Sequence, residues 1–352
     1  MAYIFEPIFL YQLGYSLIDI MIFYAIVYAA YSVFVFGGAK MISKIGYKHA
    51  ILISNIFYII YWIALYHVQN YESFFFVAPF FFALQKSFFW PAINADMALN
   101  STKVQGGREV GMLFSLIQIV SIVGPFLGGF ISYQFGFLAL FSSSAAIMLF
   151  SSWPLFFSQD IYMQHRFRFK NFWTVFKKHV QNFFAYWGYS EDLMLMSLWP
   201  VFVFLTIPDV LGVGTVITVA SALAAMLMLY IGRLSDYMSK RDLLQLTSWF
   251  YALTWIFRFL ARSVGSVLTF EVFTRLGKGI TNVPLNSLTF EIAGAKKADY
   301  AIAYNVFYEF SLSIGKIITA LLAIAILSFG LSIHLVFVMA GALTLFYGLL
   351  KK

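Results

Sequence analysis

The sequence has 352 residues, of which 62% are hydrophobic, 20% aromatic and only 11% charged, and it contains no cysteine. A soluble domain is about 25% charged, and a soluble core of this length could not hide so much apolar surface. The composition excludes disorder, a disulfide scaffold, a cysteine-ligated metal site and thiol chemistry, and it predicts an integral membrane protein. The net charge of +8 more often reflects basic cytoplasmic loops than nucleic-acid binding, so no nucleic-acid partner is expected.

Long apolar runs succeed one another along the chain and predict spanning helices, because they are longer and more continuous than the alternating segments of a β-barrel. A spanning helix needs roughly 20 apolar residues, so this length allows about twelve spans. A short apolar segment, 1–14, comes first as half of span 1. Eleven complete spans follow, at 17–38, 50–68, 73–99, 108–132, 136–158, 182–207, 213–235, 243–261, 265–291, 301–329 and 332–350.

The basic residues collect on alternate loops. Seventeen of the 23 lysines and arginines lie on one set of loops and at the carboxyl terminus, whereas the opposite loops contain only Arg262. The positive-inside rule therefore places the carboxyl terminus and segment 159–181 in the cytoplasm. Residue 17 then enters from outside and Met1 lies near mid-bilayer, so we expect that the first half of span 1 is absent from this chain. A re-entrant or interfacial start is the alternative.

An aromatic and basic segment, 161–180, separates two groups of spans. It predicts a cytoplasmic interfacial helix, with a calmodulin-like target helix as the alternative. The expected organisation is an amino-terminal helix bundle at 1–158 with an incomplete first span, a linker at 159–181 and a carboxyl-terminal six-helix bundle at 182–352.

The two halves also resemble each other in sequence, at a spacing of 192–194 residues. A repeat of this length is a whole bundle of helices, and parallel repeated bundles are typical of transporters. The matching pairs are Pro7 with Pro200, Lys48 with Arg241, Lys86 with Lys278, Asn94 with Asn286 and Gly136 with Gly330.

The loop after span 2 carries a family resemblance. Residues 39–49, AKMISKIGYKH, resemble the major facilitator superfamily (MFS) loop motif G-x-x-x-D-R-x-G-x-K/R-K/R. Lys44, Gly46 and Lys48 fit the motif, whereas Ala39 and Ser43 depart from it.

The second half carries a degenerate copy at 232–241, with Gly232, Arg233, Asp236 and Arg241. A carboxylate and a cation at helix ends can pair across a cytoplasmic seam in one conformation and separate in another. The resemblance implies such gating roles for the matching residues of both loops. A solvated loop needed only for membrane topology is the alternative.

Span 5 contains the sequence Gly124-Pro125-Phe-Leu-Gly128-Gly129, which is similar to the antiporter-associated motif of the same family. Its glycines let helices approach closely and its proline permits a bend. A gating role and simple helix packing both remain open for Gly124, Pro125, Gly128 and Gly129.

The resemblance covers essentially the whole chain and implies an all-α integral membrane protein with a twelve-helix MFS-type fold. That fold would have two pseudo-symmetric six-helix bundles, here with eleven complete spans plus half of span 1. In the family, spans 1, 4, 7 and 10 line a central cavity, and the two bundles rock about it.

Polar side chains inside predicted spans are functional candidates, because an ionisable group in the bilayer is costly unless it faces protein or water. Lys86, Trp90 and Asn94 share one face of span 4, and Glu271, Arg275, Lys278, Asn282 and Asn286 share one face of span 10. Glu6 and Lys316 are further charges within spans. The expected substrate-binding residues are Lys86, Trp90, Asn94, Gln118, Arg275, Lys278, Asn282, Asn286, Tyr304 and Asn305.

Four acids are the expected proton-coupling groups: Glu191, Asp192, Glu271 and Glu309. A carboxylate can take or release a proton as the solvation of a cavity changes, and Glu309 or Glu191 is expected to do so. Glu271 and Arg275 are spaced for an i,i+4 ion pair. The alternative is that the charges only pair internally and hold the helices together.

Three functions compete. The first is a secondary active transporter of a small solute, with protons as coupling ions; the second is a transporter-like sensor or scaffold. The third, a polytopic membrane enzyme, lacks a nucleophile, base or metal set, and no HExxH, GxSxG or P-loop motif occurs. We expect a monomer in a prokaryotic cytoplasmic (inner) membrane, with a small-molecule substrate, the lipid bilayer and protons as partners and no cofactor or metal.

Overall fold

The computed structural model describes residues 1–100, 106–157, 167–231, 238–294 and 298–351, and it is built from helices throughout these ranges. In the first half, a 3₁₀ turn at Ala2–Ile4 leads into α1 (Glu6–Gln12), followed by α2 (Leu17–Ile45), α3 (Tyr47–His67), α4 (Ser73–Asn100) and α5 (Gly106–Ser151). A linker helix, α6 (Phe169–Lys178), joins the two halves.

The second half begins with a broken helix: α7 (Val180–Ala185), a 3₁₀ segment at Tyr186–Ser190, α8 (Glu191–Met196) and α9 (Leu198–Thr206). It continues with α10 (Val210–Ile231), α11 (Lys240–Phe257), α12 (Val264–Gly294), α13 (Ala298–Ser328) and α14 (Ile333–Thr344). A 3₁₀ turn follows α11 at Arg258–Leu260, and another follows α14 at Leu345–Leu349.

Glycines with positive φ separate several of these helices, because a residue with a side chain rarely adopts that conformation. Gly46 (φ 84°) divides α2 from α3, and Gly136 (φ 79°) breaks α5 where predicted spans 5 and 6 meet. Gly330 (φ 70°) ends α13. The sequence repeat had matched Gly136 with Gly330, and both have positive φ and lie between adjacent helices.

Six helical segments of the described chain are long and apolar enough to cross a membrane: Leu17–Ile45, Tyr47–His67, Ser73–Asn94, Ile119–Ser151, Val210–Met228 and Asp299–Ser328. The other predicted spans differ in physical character. Predicted span 7 is divided into short helices, and α12 carries the charged residues Glu271, Arg275 and Lys278. These interruptions and charges mark helices whose polar side chains have partners inside the protein.

Two groups of helices pack against each other in the MFS-type fold. In the first half α2, α3 and α4 contact one another, and in the second half α11 contacts α12 and α14 while α10 contacts α12. Between the halves, α5 packs on α10, α2 on α13 and α1 on α9. α4 also contacts α12 and α13, and these contacts surround the site described below.

The contact between α5 and α10 is particularly close. A Cβ atom on Gly129 would lie 2.7 Å from the carbonyl oxygen of Val210 and 3.3 Å from the Cα atom of Gly214. Nearby, the Thr218 hydroxyl donates a hydrogen bond of 2.8 Å to the carbonyl of Ile122 and accepts one of 3.0 Å from the amide of Phe126. The halves are therefore held backbone to backbone at the end where the 133–136 and 207–209 turns lie.

The linker helix α6 packs against both halves through its aromatic face. Phe172 is 2% exposed, and its ring centroid lies 4.9 Å from that of Phe36 on α2 and 5.7 Å from that of Phe310 on α13. Phe169 and Trp173 lie on its exposed side. The predicted helix is thus present within the linker, and one face of it is buried in protein.

Candidate functional site

A cavity of about 430 Å³ lies between the two halves. α2 and α4 form one wall, and α8, α12, α13 and the Tyr186–Ser190 segment form the other. The cavity lies toward the carboxyl-terminal ends of α4 and α12 and the amino-terminal end of α13. It is therefore away from the close contact between α5 and α10. The lining residues are Tyr28, Tyr31, Lys86, Phe89, Trp90, Ile93, Asn94, Tyr189, Asp192, Met196, Asn286, Thr289, Phe290, Asn305, Tyr308, Glu309, Leu312 and Lys316.

The helical period explains which polar residues meet here. Lys86, Trp90 and Asn94 follow one another at four-residue intervals on α4, so they lie on one face. A second set shares one face of α13, because its members lie four, seven and eleven residues after the first: Asn305, Glu309, Leu312 and Lys316. Of the residues predicted for substrate or protons, seven line the cavity: Lys86, Trp90, Asn94, Asp192, Asn286, Asn305 and Glu309.

Glu309 connects the two halves across the cavity wall. It is 4% exposed, and it lies on α13. The Tyr31 hydroxyl on α2 donates to one carboxylate oxygen at 2.9 Å, and the Asn94 amide on α4 donates to the other at 2.7 Å. Both donors thus come from the opposite half of the molecule, and both are neutral groups.

Asp192 lies between two lysines. One carboxylate oxygen accepts a hydrogen bond from Lys278 on α12, and the other accepts one of 2.8 Å from Lys316 on α13. Lys316 also donates to the Tyr28 hydroxyl of α2 at 3.1 Å. A single carboxylate therefore neutralises part of the charge of two buried ammonium groups from two helices.

A second cavity, of about 130 Å³, lies on the other side of Asp192. Asp192 and Met196 line both cavities, so they belong to the partition between them. Tyr3 and Ile4 of the first half contribute to the second cavity, and Lys278 reaches it from α12. Glu271, Arg275 and Lys278 of α12 thus line the second cavity, whereas Asn286 of the same helix lines the first.

Glu271 and Arg275 line this second cavity and form the predicted i,i+4 ion pair, at 2.6 Å. Glu271 is also paired with Arg258, at 2.7 Å. Arg258 is fully buried, with its guanidinium carbon 3.6 Å from the ring centroid of Trp199 and 4.2 Å from that of Trp255. The prediction for Glu271 did not include Arg258, whose position near the end of its helix gave no sign of burial.

Glu191 lies next to Asp192 in sequence but lines neither cavity. It is fully buried, accepts a hydrogen bond of 2.9 Å from Tyr251 and lies 3.4 Å from the Lys278 ammonium. The 100° step between neighbouring helical residues turns the two acids to different surroundings.

Two predicted substrate-binding residues lie elsewhere. Tyr304 is fully buried and bonded to the Tyr186 hydroxyl at 2.8 Å and the Asn182 amide at 3.2 Å, inside the second half. It precedes Asn305 by one residue, so it points away from the cavity that Asn305 lines. Asn282 lies along α12 between the stretches that line the two cavities and lines neither of them. Its side-chain oxygen is buried without a partner among the described residues.

The predicted gating residues are only partly described. Gly232, Arg233, Asp236 and the side chain of Gln118 lie outside the described residues. Gly46 forms the turn between α2 and α3, with Lys44 and Lys48 on either side of it. Arg241 is exposed near the start of α11.

The Gly-Pro motif faces two neighbours. A Cβ on Gly128 would lie 2.6 Å from the Phe5 ring, and Gly129 meets α10 as described above. Gly214 of α10 packs in turn on the backbone of Pro125. Gly124 is less crowded, with its nearest atoms 3.8 Å away in Met1.

Sequence reasoning found Trp90 but missed the tyrosines of the cavity. Tyr28, Tyr31, Tyr189 and Tyr308 line it, and no pattern separates them from the many other tyrosines of the chain. Lys316 was recognised as a charge within a span, and its spacing from Asn305 and Glu309 could have assigned it to the same face. Among the described residues, no group of three His, Cys, Asp or Glu side chains is arranged to hold a metal ion.

Comparison with known proteins gives two positive findings. A family model described as the Major Facilitator Superfamily matches residues 1–195. The fold is similar to a crystal structure of a mutant of the nucleoside transporter NupG, with a TM-score of 0.71 and 12% sequence identity over 98% of this chain and 93% of that chain. A further structure of NupG gives a TM-score of 0.66 and 12% identity over 99% of this chain and 91% of that one. No curated protein sequence matches.

Proposed function

The chain belongs to the major facilitator superfamily, and from this premise we propose that it is a proton-coupled secondary transporter that works by alternating access. As a member of that family it is a multi-pass membrane transporter of a small molecule and not an enzyme. The proposal adds the mechanism, the coupling ion and the residues that carry them. We further place it in a prokaryotic inner membrane as a monomer, with the carboxyl terminus in the cytoplasm.

The observation that carries the proposal is the placement of Glu309. This acid belongs to the second half, lines the cavity and accepts hydrogen bonds from two neutral donors of the first half, Tyr31 and Asn94. Hydrogen bonds to an ionised group are roughly twice as strong as those between neutral groups. A change in the charge of Glu309 would therefore change the contact between the halves.

Alternating access requires that one end of the interface close while the other opens. The backbone contact between α5 and α10 supports a closed interface at one end, and the 430 Å³ cavity lies toward the other. The α2–α3 turn, which carries Lys44 and Lys48, lies at the end where α4 finishes, and we therefore propose that this conformation faces the cytoplasm. Rocking of the halves would separate Gly129 from α10 and narrow the cavity.

The partition between the two cavities marks the proposed path. Asp192 lines both of them and is bonded to Lys278 and Lys316. A solute moving from one cavity to the other would pass this carboxylate, so rearrangement of its ion pairs would accompany transport. Glu271 and Arg275 line the second cavity and would meet the solute on its other side.

Counterflow in proteoliposomes tests transport itself. Vesicles loaded with unlabelled solute are given the labelled form outside, using a panel that includes nucleosides because NupG is a nucleoside transporter. We expect accumulation of one labelled class by vesicles with the protein and none by empty vesicles. Failure to exchange any class of a broad panel would favour the sensor or scaffold instead.

Proton coupling is tested by Glu309→Gln, with Glu191→Gln as its matched control. Both are buried acids, but only Glu309 lines the cavity. We expect Glu309→Gln to abolish the response of uptake to an imposed proton gradient while counterflow persists, and Glu191→Gln to keep that response. Equal sensitivity to the gradient in the wild type and both variants contradicts the coupling proposal.

A further inference from the structure

The walls of the central cavity contain a surplus of buried hydrogen-bond donors. Both oxygens of Glu309 and both oxygens of Asp192 accept hydrogen bonds from protein groups. These are the carboxylates that line the cavity in the described part of the chain. Two buried donors on the same walls, Lys86 and Asn305, have no corresponding acceptor among the residues that the structure describes.

Lys86 has no carboxylate counter-ion within the described part of the chain. It is 6% exposed, and no carboxylate of the described chain lies within the 4.0 Å of an ion pair. Its ammonium instead lies 4.4 Å from the ring centroid of Phe82 and 5.5 Å from that of Tyr28. Glu6 and Glu309 interact with it electrostatically over longer distances.

The other two lysines of the cavities provide an internal comparison. Lys278 and Lys316 both bond to Asp192, and Lys278 also lies near Glu191. All three lysines reach the cavities from different helices, and of the three only Lys86 lacks a carboxylate partner among the described residues. An ammonium group removed from water without a counter-ion is costly, so a bound group of opposite charge would relieve that cost.

Asn305 supplies the second donor, from the opposite half. It is 2% exposed, it lines the same cavity, and its amide nitrogen is buried without an acceptor among the described residues. A buried donor of this kind normally has a partner, and an acceptor on a bound solute would provide it.

We propose, on the premise that the cavity is the transport site, that Lys86 and Asn305 form a subsite for an anionic group of a small organic solute. The group is a carboxylate or a phosphate, since each offers several acceptor oxygens. A cationic group would have to compete with donors that already occupy Glu309 and Asp192. The aromatic side chains beside Lys86, among them Tyr28 and Trp90, would pack against the body of the solute.

Collisional quenching of tryptophan fluorescence tests the subsite without knowledge of the natural solute. Trp90 lies four residues from Lys86 on the same face of α4 and lines the cavity. Its share of the emission is the difference between the wild type and Trp90→Phe. We expect iodide, an anion, to quench this share at least twofold more efficiently, relative to neutral acrylamide, than it quenches the exposed tryptophans.

Three lysine variants isolate the cause. Lys86→Gln should remove the preference for iodide, whereas Lys86→Arg, which keeps the charge, should retain it. Lys177→Gln on the exposed linker helix is the matched control and should change nothing at Trp90. Size-exclusion profiles equal to that of the wild type identify the variants that remain folded, and Lys86→Arg keeps the test decisive if Lys86→Gln does not fold.

Matched solutes then identify the group. Cyclohexanecarboxylate and cyclohexyl phosphate should protect Trp90 from iodide, each at least tenfold better than cyclohexanecarboxamide, and the more effective one identifies the preferred anion. Protection by the neutral amide equal to that by both anions overturns the proposal. So does an iodide preference that is absent in the wild type or unchanged in Lys86→Gln.

These measurements separate the subsite from transport. Quenching requires no gradient and no turnover, so a protein that binds anions but fails in counterflow contradicts only the proposed function. A protein that exchanges solutes equally well with and without the Lys86 charge contradicts only the anion subsite.

Discussion

Tyr31 on α2 donates a hydrogen bond of 2.9 Å to Glu309 on α13, across 278 residues of sequence. Asn94 on α4 donates to the other oxygen of the same carboxylate. The Glu309 carboxylate on the second half therefore accepts its side-chain hydrogen bonds from donors on the first half. Adding a proton to Glu309 would replace charge-assisted hydrogen bonds with weaker neutral ones and loosen the contact between the halves.

Removing the Tyr31 hydroxyl should weaken this contact. We expect Tyr31→Phe to destabilise the protein by about 1.5–3 kcal/mol, the range for a hydrogen bond to a charged group. Thermal unfolding in detergent measures the effect. Tyr308→Phe is the control, because Tyr308 lines the same cavity and its hydroxyl has no hydrogen bond to a described residue. Equal losses in the two variants would argue against a special role for Tyr31.

The shared carboxylate of Asp192 predicts a rescue. Asp192→Asn removes the carboxylate that pairs with Lys316 and leaves the Tyr28 hydroxyl as its remaining hydrogen-bond partner among the described residues. Both stability and transport should therefore fall, by about 3–5 kcal/mol in stability. Adding Lys316→Met removes the unpaired cation, and the double variant should be more stable than Asp192→Asn alone. Thermal unfolding of the wild type, Asp192→Asn, Lys316→Met and the double variant gives the sign of the interaction energy between the two residues. A double variant less stable than Asp192→Asn would contradict the shared ion pair.

The close approach of α5 and α10 predicts opposite effects for two glycines of one helix. Gly129→Ala places a methyl group 2.7 Å from the Val210 carbonyl oxygen, so we expect a loss of about 1–3 kcal/mol and slower transport. Gly124→Ala has no atom nearer than 3.8 Å and gains helix propensity, so it should be neutral or stabilising. Unfolding temperatures and initial uptake rates measure both variants. If Gly129→Ala matches Gly124→Ala, the contact is looser than described.

The two arginines of Glu271 should differ in importance. Arg258 is fully buried between two indole rings, whereas the Arg275 side chain is 26% exposed. Each substitution leaves Glu271 paired with its other arginine. Arg258→Gln should nevertheless cost several kcal/mol, because it also removes a fully buried guanidinium packed against Trp199 and Trp255, whereas Arg275→Gln should cost about 1–2 kcal/mol. Yield of monodisperse protein and its unfolding temperature are the measurements. A larger loss for Arg275→Gln would reverse this assignment.

Much of the architecture could be predicted because it depends on local features of the sequence. Apolar composition set the class of protein, and the family motifs set the fold. The repeat paired Gly136 with Gly330, and the structure gives both a positive φ. The spacing of Lys86, Trp90 and Asn94 put these three residues on one face, and that face lines the cavity.

The individual roles of the polar residues were less predictable, because a one-residue step along a helix turns a side chain by 100°. Asn305 lines the cavity while its neighbour Tyr304 bonds inside the second half. Asp192 lines both cavities while its neighbour Glu191 lines neither. The rotation of a helix about its axis decides which of two neighbouring residues faces the cavity. That rotation is hard to predict here, because apolar residues occur on every face of these helices.

The 62% apolar composition and the sorting of charge determined by themselves that this chain is a membrane protein, since they require no knowledge of which helices touch. The i,i+4 spacing predicted the Glu271–Arg275 pair, and tertiary structure decided the pairing of charges that lie on different helices. It brought Tyr31 and Asn94 to Glu309, joined Lys278 and Lys316 through Asp192, and left Lys86 without a carboxylate partner among the described residues. Pairing depends on distances of a few ångströms between helices far apart in sequence, and it determines which charges remain available to a solute.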